Sequence, residues 1–301
     1  MRIAVTGTKG QVVSALFAAA QSHSDIEIIP VGRPQLDLSR LDSIAPAITA
    51  IKPDVLISAA AYTAVDQAES DANTAEQVNA IAPAILAQTA SALNIPLVHL
   101  STDYVFDGLK TGAYDETDTP APLNVYGRTK LAGELAALNS QTHVVLRTSW
   151  LYSPYGYNFV KTMFRLAQTH DEVKVVDDQC GGPTSALDLA EALLTVCSRL
   201  HSDRDPALRG LFHLTAPDSA SWADLAEAIF SELTRHGMRR PELIRIPGAQ
   251  FPRPARRPPN SRLDCRKISQ AYGIALPPWR QSLMTCLDEM LSGNPHRKET
   301  V

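Results

Sequence analysis

Short, almost continuously apolar runs alternate with helix-length segments along the first half of the chain. Arg2–Thr6, Ile26–Val31, Val55–Ser58, Leu97–Leu100 and His143–Ser149 are strand-length and rich in β-branched residues; the alanine-rich stretch from about Asn73 to Leu93 is the longest helical segment between them. Strands with little polar alternation are those covered on both faces, and strand–helix alternation in this order predicts a parallel, right-handed, doubly wound sheet.

Past Trp150 the pattern loosens. Asn158 is placed to cap a helix running to about His170, followed by a strand Val173–Val176, a break at Gly181-Gly182-Pro183 and a helix Asp188–Leu200. Leu211–Leu214, a helix from Ser221 and a strand Leu243–Ile246 predict a smaller α/β lobe. The expected division is a dinucleotide-binding domain over 1–150, with about 157–200 packing back on it, a substrate lobe over mainly 151–291 and a disordered tail over 292–301.

The polar residues concentrate where the apolar runs end. Strand 2–6 leads into Gly7-Thr8-Lys9-Gly10-Gln11-Val12-Val13 and then a helix, the strand–glycine turn–helix context of a Rossmann dinucleotide site. Gly7 permits the turn, and Gly10 leaves backbone N–H groups at the helix start open to a pyrophosphate. Val13 stands where a third glycine is usual, so a structural turn without ligand remains an alternative. After the second strand comes Arg33. It either pairs with a 2′-phosphate, which leans towards NADPH with NADH possible, or stands as a solvated surface arginine. Asp37-Leu38 follows, its carboxylate placed to cap the next helix or face the adenosine. Ala59-Ala60-Ala61-Tyr62-Thr63 leaves room for a flat ligand, or simply packs tightly.

The run Leu97–Leu100 delivers Ser101-Thr102-Asp103 to its carboxyl end, and Tyr126 and Lys130 are four apart on a predicted helix capped by Asn124. Such pairs are common on helices. Here a phenol that titrates near ~10 when unperturbed, beside a cation that favours its ionised form, suits proton exchange with a carbonyl or alcohol oxygen. Thr102 is placed to hydrogen-bond the same oxygen. The polar loop Asp103–Pro122 is long enough for a lid or rim. The proline-rich segment 247–262 carries Arg253, Arg256, Arg257 and Arg262, either an extended arm suited to a diphosphate or a basic surface loop.

Composition narrows the classes. With 301 residues, 45% hydrophobic and a net charge of −4, the chain can bury a large core and has no general attraction to nucleic acid or anionic membrane. No apolar run is long enough to span a bilayer, no basic leader precedes the first strand, and four scattered cysteines suit reduced thiols; together these predict a cytoplasmic protein. The eight histidines form no metal-ligand spacing, so no metal is expected.

Taken in order, G-x-x-G-Q-V, the alanine run, S-T-D-Y-V-F, N-V-Y-G-R-T-K-L-A-G-E, R-T-S-W at Arg147–Trp150 and R-P-P-N-S-R-L at Arg257–Leu263 resemble the dTDP-4-dehydrorhamnose reductase family of extended short-chain dehydrogenases, over roughly residues 1–291. The resemblance implies an NAD(P)H-dependent reduction of a 4-keto-6-deoxy nucleotide sugar. It implies that Tyr126 donates the proton to the C4 carbonyl oxygen and that Lys130 holds the nicotinamide ribose and lowers the phenol's pKa. Thr102, Asp103 and Trp150 are then expected to meet the sugar, with Arg257 and Asn260 from the C-terminal motif also at the substrate. Gly10-Gln11-Val12, Asp37-Leu38 and Ala61-Tyr62-Thr63 are expected to bind the dinucleotide. Some members dimerise around Mg²⁺ held partly by a glutamate on the first helix; Ala15 stands at that place here, so the metal is not carried over and either a monomer or a homodimer is expected. Two other readings compete: a reductase or epimerase of another nucleotide sugar, and a non-catalytic NADP-binding regulatory subunit resembling that of methionine adenosyltransferase.

Overall fold

The computed structural model describes residues 1–139 and 142–292. The tail expected over 292–301 lies outside the described residues apart from Ser292, which closes the last helix. The chain runs β1 (Arg2–Thr6), α1 (Gln11–Ala20), β2 (Glu27–Val31), α2 (Ile44–Ile51), β3 (Val55–Ser58), α3 (Val65–Ala68) and α4 (Ala72–Glu76). A π-helical turn (Gln77–Ile81) leads into α5 (Ala82–Ala92), β4 (Leu97–Thr102), α6 (Val125–Leu138), β5 (Val144–Thr148) and β6 (Leu151–Tyr152). Then follow α7 (Phe159–Thr169), β7 (Glu172–Val176), β8 (Cys180–Gly181), β9 (Thr184–Ser185), α8 (Ala186–Ser202) and β10 (Gly210–His213). The chain ends with β11 (Ala220–Ser221), α9 (Trp222–Arg235), β12 (Glu242–Ile246), α10 (Arg266–Tyr272) and α11 (Trp279–Leu291).

The central sheet has six strands in the order β10-β5-β4-β3-β1-β2, all parallel. Successive side chains point to opposite faces, and the cores follow that period. Ile3, Val5, Val55, Ile57, Val98 and Leu100 pack with α1 and α8, while Ala4, Leu56 and Leu97 pack with α2 and α5. The chain leaves β1 for β2 on one side and returns to β3 on the other, opening a crevice at their carboxyl ends, where such sheets bind ligands. Thr6 closes its floor by accepting from the Ala59 and Ala60 N–H groups, both at 3.0 Å.

A second core gathers α7, α9 and α11 on the parallel pair β7–β12, around Val160, Val173, Phe230, Trp279 and Leu287. The chain crosses between the two cores several times. Of the segment 157–200, α7 and β7 belong to the smaller core, and only α8 packs back on α1. Leu211–His213, expected in the smaller lobe, instead extends the large sheet: β10 pairs with the free edge of β5, and the wholly buried Phe212 joins the large core.

The helix expected from Asn73 to Leu93 is interrupted by the π turn. Pro83 has no N–H to give to the carbonyl of Asn79 four residues earlier, and the backbone widens there. Gly133 of α6 lies against that carbonyl: a Cβ on it would stand 2.2 Å from the Asn79 oxygen, so only glycine lets the two elements approach.

Candidate active site

Leu100, Ser101 and Thr102 at the end of β4 are each tied to one residue of α6. Lys130 Nζ donates to the Leu100 carbonyl at 2.6 Å, the Ser101 hydroxyl donates to the Glu134 carboxylate, and the Thr102 hydroxyl lies in hydrogen-bonding range of the Tyr126 phenol. The helix start is fixed as the sequence predicts: Asn124 Oδ1 accepts from the Gly127 N–H at 2.7 Å. Glu69, unforeseen, accepts from the Val125 N–H at 2.7 Å.

Electrostatics at this ledge differ from the expectation. Lys130 was to favour the ionised phenol, but its ammonium is turned to the Leu100 carbonyl. Burial pushes the Tyr126 phenol up to about 12, opposed by Thr102 and reinforced by the Asp103 charge. Burial also pulls Lys130 down to about 8, opposed by Glu134. Desolvation disfavours each charged form, so Tyr126 carries its proton at neutral pH. Asp103 is buried, with Oδ1 accepting from the Thr102 hydroxyl at 2.9 Å and Oδ2 without a hydrogen-bond partner among the described residues. Burial raises its carboxyl to about 7 against the pull of the Thr102 hydroxyl.

The glycine turn can hold a pyrophosphate. Gly10 has φ +146°, no side chain caps α1, and a Cβ at Gly10 would meet nothing within 4 Å. The space beside the start of α1 is thus open, and the first N–H groups of a helix, which have no intrahelical partner, are the donor set an anion needs. Gly7 turns the chain at the end of β1, and Val13 is buried in the large core, filling the place of the missing glycine. The Gln11 side chain is turned to the protein: it donates to Leu151 O at 3.3 Å and accepts from Ser153 at 2.9 Å and Asn158 at 3.0 Å. Val12 and Leu38 are buried core residues. Asp37 does not cap α2; it accepts from Ser39 N at 3.0 Å and Ser39 Oγ at 2.7 Å, and these bonds, with Arg33 nearby, hold its carboxyl below the usual range. Arg33 is exposed.

Ala61-Tyr62-Thr63 is pinned by a residue the sequence did not single out. Asn79, in the π turn, accepts from Tyr62 N at 2.8 Å and donates to Tyr62 O at 3.1 Å and to Thr129 Oγ1 at 3.2 Å. An asparagine four residues before a proline inside a helical run was the available signal.

Across the crevice, Trp150 (φ +47°) stacks on Trp222 with centroids 3.5 Å apart. Trp222 walls a cavity of about 590 Å³ that is also lined by Phe159, Met163, Phe251, Arg253 and Arg257. Arg257 makes a two-pronged pair with Asp66 (3.0 and 2.9 Å) and reaches the Tyr104 hydroxyl; the Tyr104 ring meets Tyr126 edge-on at 5.8 Å. The cavity therefore adjoins the β4–α6 ledge through Arg257. Neither Asp66 nor Tyr104 was singled out by sequence. Asn260, expected at the substrate, has its amide committed elsewhere: it donates to Lys110 O (2.6 Å) and Gly112 O (2.8 Å) and accepts from Arg262 Nε (2.8 Å). With Gly108 packed on Pro258 and Pro259, these bonds strap the loop 103–122 as a rim.

Comparison with known proteins places these features in a family context. The RmlD substrate binding domain family matches residues 1–292. A dTDP-4-dehydrorhamnose reductase of Sinorhizobium fredii is 48% identical over 283 residues, covering 94% of this chain and 95% of the relative. The crystal structure of a dTDP-4-dehydrorhamnose reductase from Clostridium acetobutylicum superposes with a TM-score of 0.89 at 36% identity, covering 96% of this chain and 99% of that one. That from Bacillus anthracis, in complex with NADP, gives 0.86 at 33% identity with the same coverage.

Proposed function

The chain belongs to the RmlD substrate binding domain family, and from that premise we propose that it is a dTDP-4-dehydrorhamnose reductase, reducing the C4 keto group of dTDP-4-dehydro-L-rhamnose to dTDP-L-rhamnose with NADPH. The observation that carries the reading is the placement of the Tyr126 phenol of α6 beside the Thr102 hydroxyl at the carboxyl end of β4.

When bound, the nicotinamide supplies the hydride. The N–H groups at the start of α1 would hold the pyrophosphate, Asn79 fixes Ala61–Thr63 where they would line the cofactor, and Arg33 would pair with the 2′-phosphate. NADH fits the same turn without that last contact. Thr102 and Tyr126 bind the C4 carbonyl oxygen, and Tyr126 gives it a proton as charge develops there. The buried ammonium of Lys130, one helical turn along α6 from Tyr126, would stabilise a phenolate formed there more than it does the neutral phenol. Asp103 Oδ2, buried without a partner, accepts from a sugar hydroxyl, and Trp150 covers the ring. The cavity beside Trp222 is of the size that holds a nucleotide, with Arg257 at its catalytic end for the diphosphate. The reaction needs small molecules only, and in this reading runs in the cytoplasm, by a monomer or a homodimer.

The test is NADPH oxidation by the purified protein given dTDP-4-dehydro-L-rhamnose, with the product identified by mass and NMR, alongside a UDP-linked 4-keto sugar. Formation of dTDP-L-rhamnose, with the UDP sugar turned over poorly, is expected. Preference for the UDP sugar would reassign the substrate, and tight NADPH binding without turnover of either would point to a regulatory subunit.

A further inference from the structure

Beneath the catalytic pair lies a buried ion pair that the proton transfer itself does not use. Glu134 is 0% exposed and Arg147 2%. Arg147 grips the carboxylate with Nε at 3.0 and 3.1 Å and Nη2 at 2.7 Å, and its guanidinium lies over the Phe106 ring at 5.0 Å. Glu134 also accepts from Ser101, between the residue that receives the Lys130 ammonium and the residue beside the Tyr126 phenol. Tyr126, Lys130 and Glu134 follow one another at four-residue spacing on one face of α6, which brings Lys130 and Glu134 side by side.

The other ionisable groups around Lys130 do little to hold its charge. His99 of β4 is buried, faces Lys130, and is kept neutral by desolvation and by the ammonium itself. His213 of β10 lies 3.4 Å from Arg147 Nη1, and burial with that guanidinium lowers it to about 3. Asp103 faces Tyr126. Glu134 is the one carboxylate among these groups that acts on Lys130.

We propose that Glu134 is a positioning residue for the reduction, setting its buried carboxylate one helical turn from the buried Lys130 ammonium while tethering the end of β4 to α6 through Ser101. The inference rests on the reductase reading for its place in catalysis, but the ionisation of Lys130 can be measured without substrate. An ammonium is a threefold donor, the form able to hold ribose hydroxyls and to stabilise a phenolate. Buried against strand β4 with the Leu100 carbonyl as its hydrogen-bond partner among the described residues, it would otherwise lose its proton readily.

The experiment is a pH titration of the ¹³Cε resonances in protein labelled with ¹³C-lysine, the Lys130 signal being assigned from Lys130→Met. In the wild type it should titrate near about 8. Glu134→Gln, which keeps the shape and a bond to Ser101, should move that titration down by about one pH unit, and the alkaline fall of kcat should move with it. Glu134→Gln leaves Arg147 buried without its partner, so the double variant Glu134→Gln/Arg147→Met, which removes the pair together, serves as the better-folding form and should shift in the same direction. Ser101→Ala removes the tether but no charge and should titrate with the wild type. Wild-type titration in both Glu134 variants, or an equal shift in Ser101→Ala, would overturn the proposal. A shift in Lys130 together with no turnover by the wild type would instead defeat the reductase reading and leave the electrostatic inference standing.

Discussion

At the carboxyl end of β4, Leu100, Ser101 and Thr102 are buried and each meets a named partner on α6. At the carboxyl end of β2, Arg33 is exposed and Asp37 satisfies itself locally on Ser39. Both ends point into the same crevice region of one sheet, yet they work in different dielectric regimes. Buried groups have their ionisation set by desolvation and a few fixed neighbours, whereas exposed ones are screened by water and salt. Chemistry that depends on one proton belongs in the first setting. Discrimination between two related cofactors needs only a modest preference, which the second can supply.

The sharpest test of the buried end is Tyr126→Phe, which deletes the hydroxyl proposed as proton donor and leaves the ring. Turnover should fall roughly 10²- to 10⁴-fold, with NADPH binding nearly unchanged by fluorescence titration. Wild-type rates in this variant would remove Tyr126 from the mechanism.

Asp103 carries the next largest effect, read as stability. Its folded carboxyl titrates at about 7 against 3.8 for the free group, because burial disfavours the charge. The native state therefore holds the proton more tightly than the unfolded chain does. Stability from this group falls as pH rises from about 4 to about 7, and the loss is complete above that. The linkage amounts to something on the order of 4 kcal/mol. Asp103→Asn should flatten that part of the pH profile in urea unfolding and gain relative stability at pH 8. An unchanged slope would mean that the carboxylate is better solvated than its burial implies.

Gly133→Ala probes the packing of α6 that supports the buried end. The new Cβ would meet the Asn79 carbonyl at 2.2 Å, forcing α6 off the π turn that pins Tyr62. A loss of about 1–3 kcal/mol and weaker cofactor binding are expected by thermal denaturation and titration. Gly112→Ala, where a Cβ meets nothing within 4 Å, is the control and should stay near the wild type.

How much could be read from sequence follows the same division. Tyr126, Lys130 and the Asn124 cap were legible because one helix fixes their geometry at short spacing. Thr102 was legible because an apolar strand must deliver its polar residues at its end. The charge state of the pair was not, since it depends on how deeply the finished fold buries it. Pro83 was visible, but the destination of the carbonyl it frees is set by Gly133, fifty residues on. The Asp66–Arg257 pair spans 191 residues and has no local signature. Asn260 looked like a substrate contact because it lies in a distinctive motif, and only the path of the loop 103–122 shows that its amide is used as a clamp.

The smallest effect belongs to the exposed end. If Arg33 pairs with the 2′-phosphate there, the pair is solvated on most sides and contributes up to about 1 kcal/mol, or roughly fivefold in Kd. Arg33→Ala should therefore weaken NADPH by several-fold and leave NADH unchanged, since NADH lacks the phosphate. Added salt should shrink the difference, because the Debye length at 0.15 M is only about 8 Å. The Lys130 titration at the buried end should barely respond to the same salt. Equal losses for the two cofactors would show that Arg33 never meets the phosphate, and salt-independent selectivity would place the discrimination in buried groups instead, removing the contrast between the ends of β2 and β4.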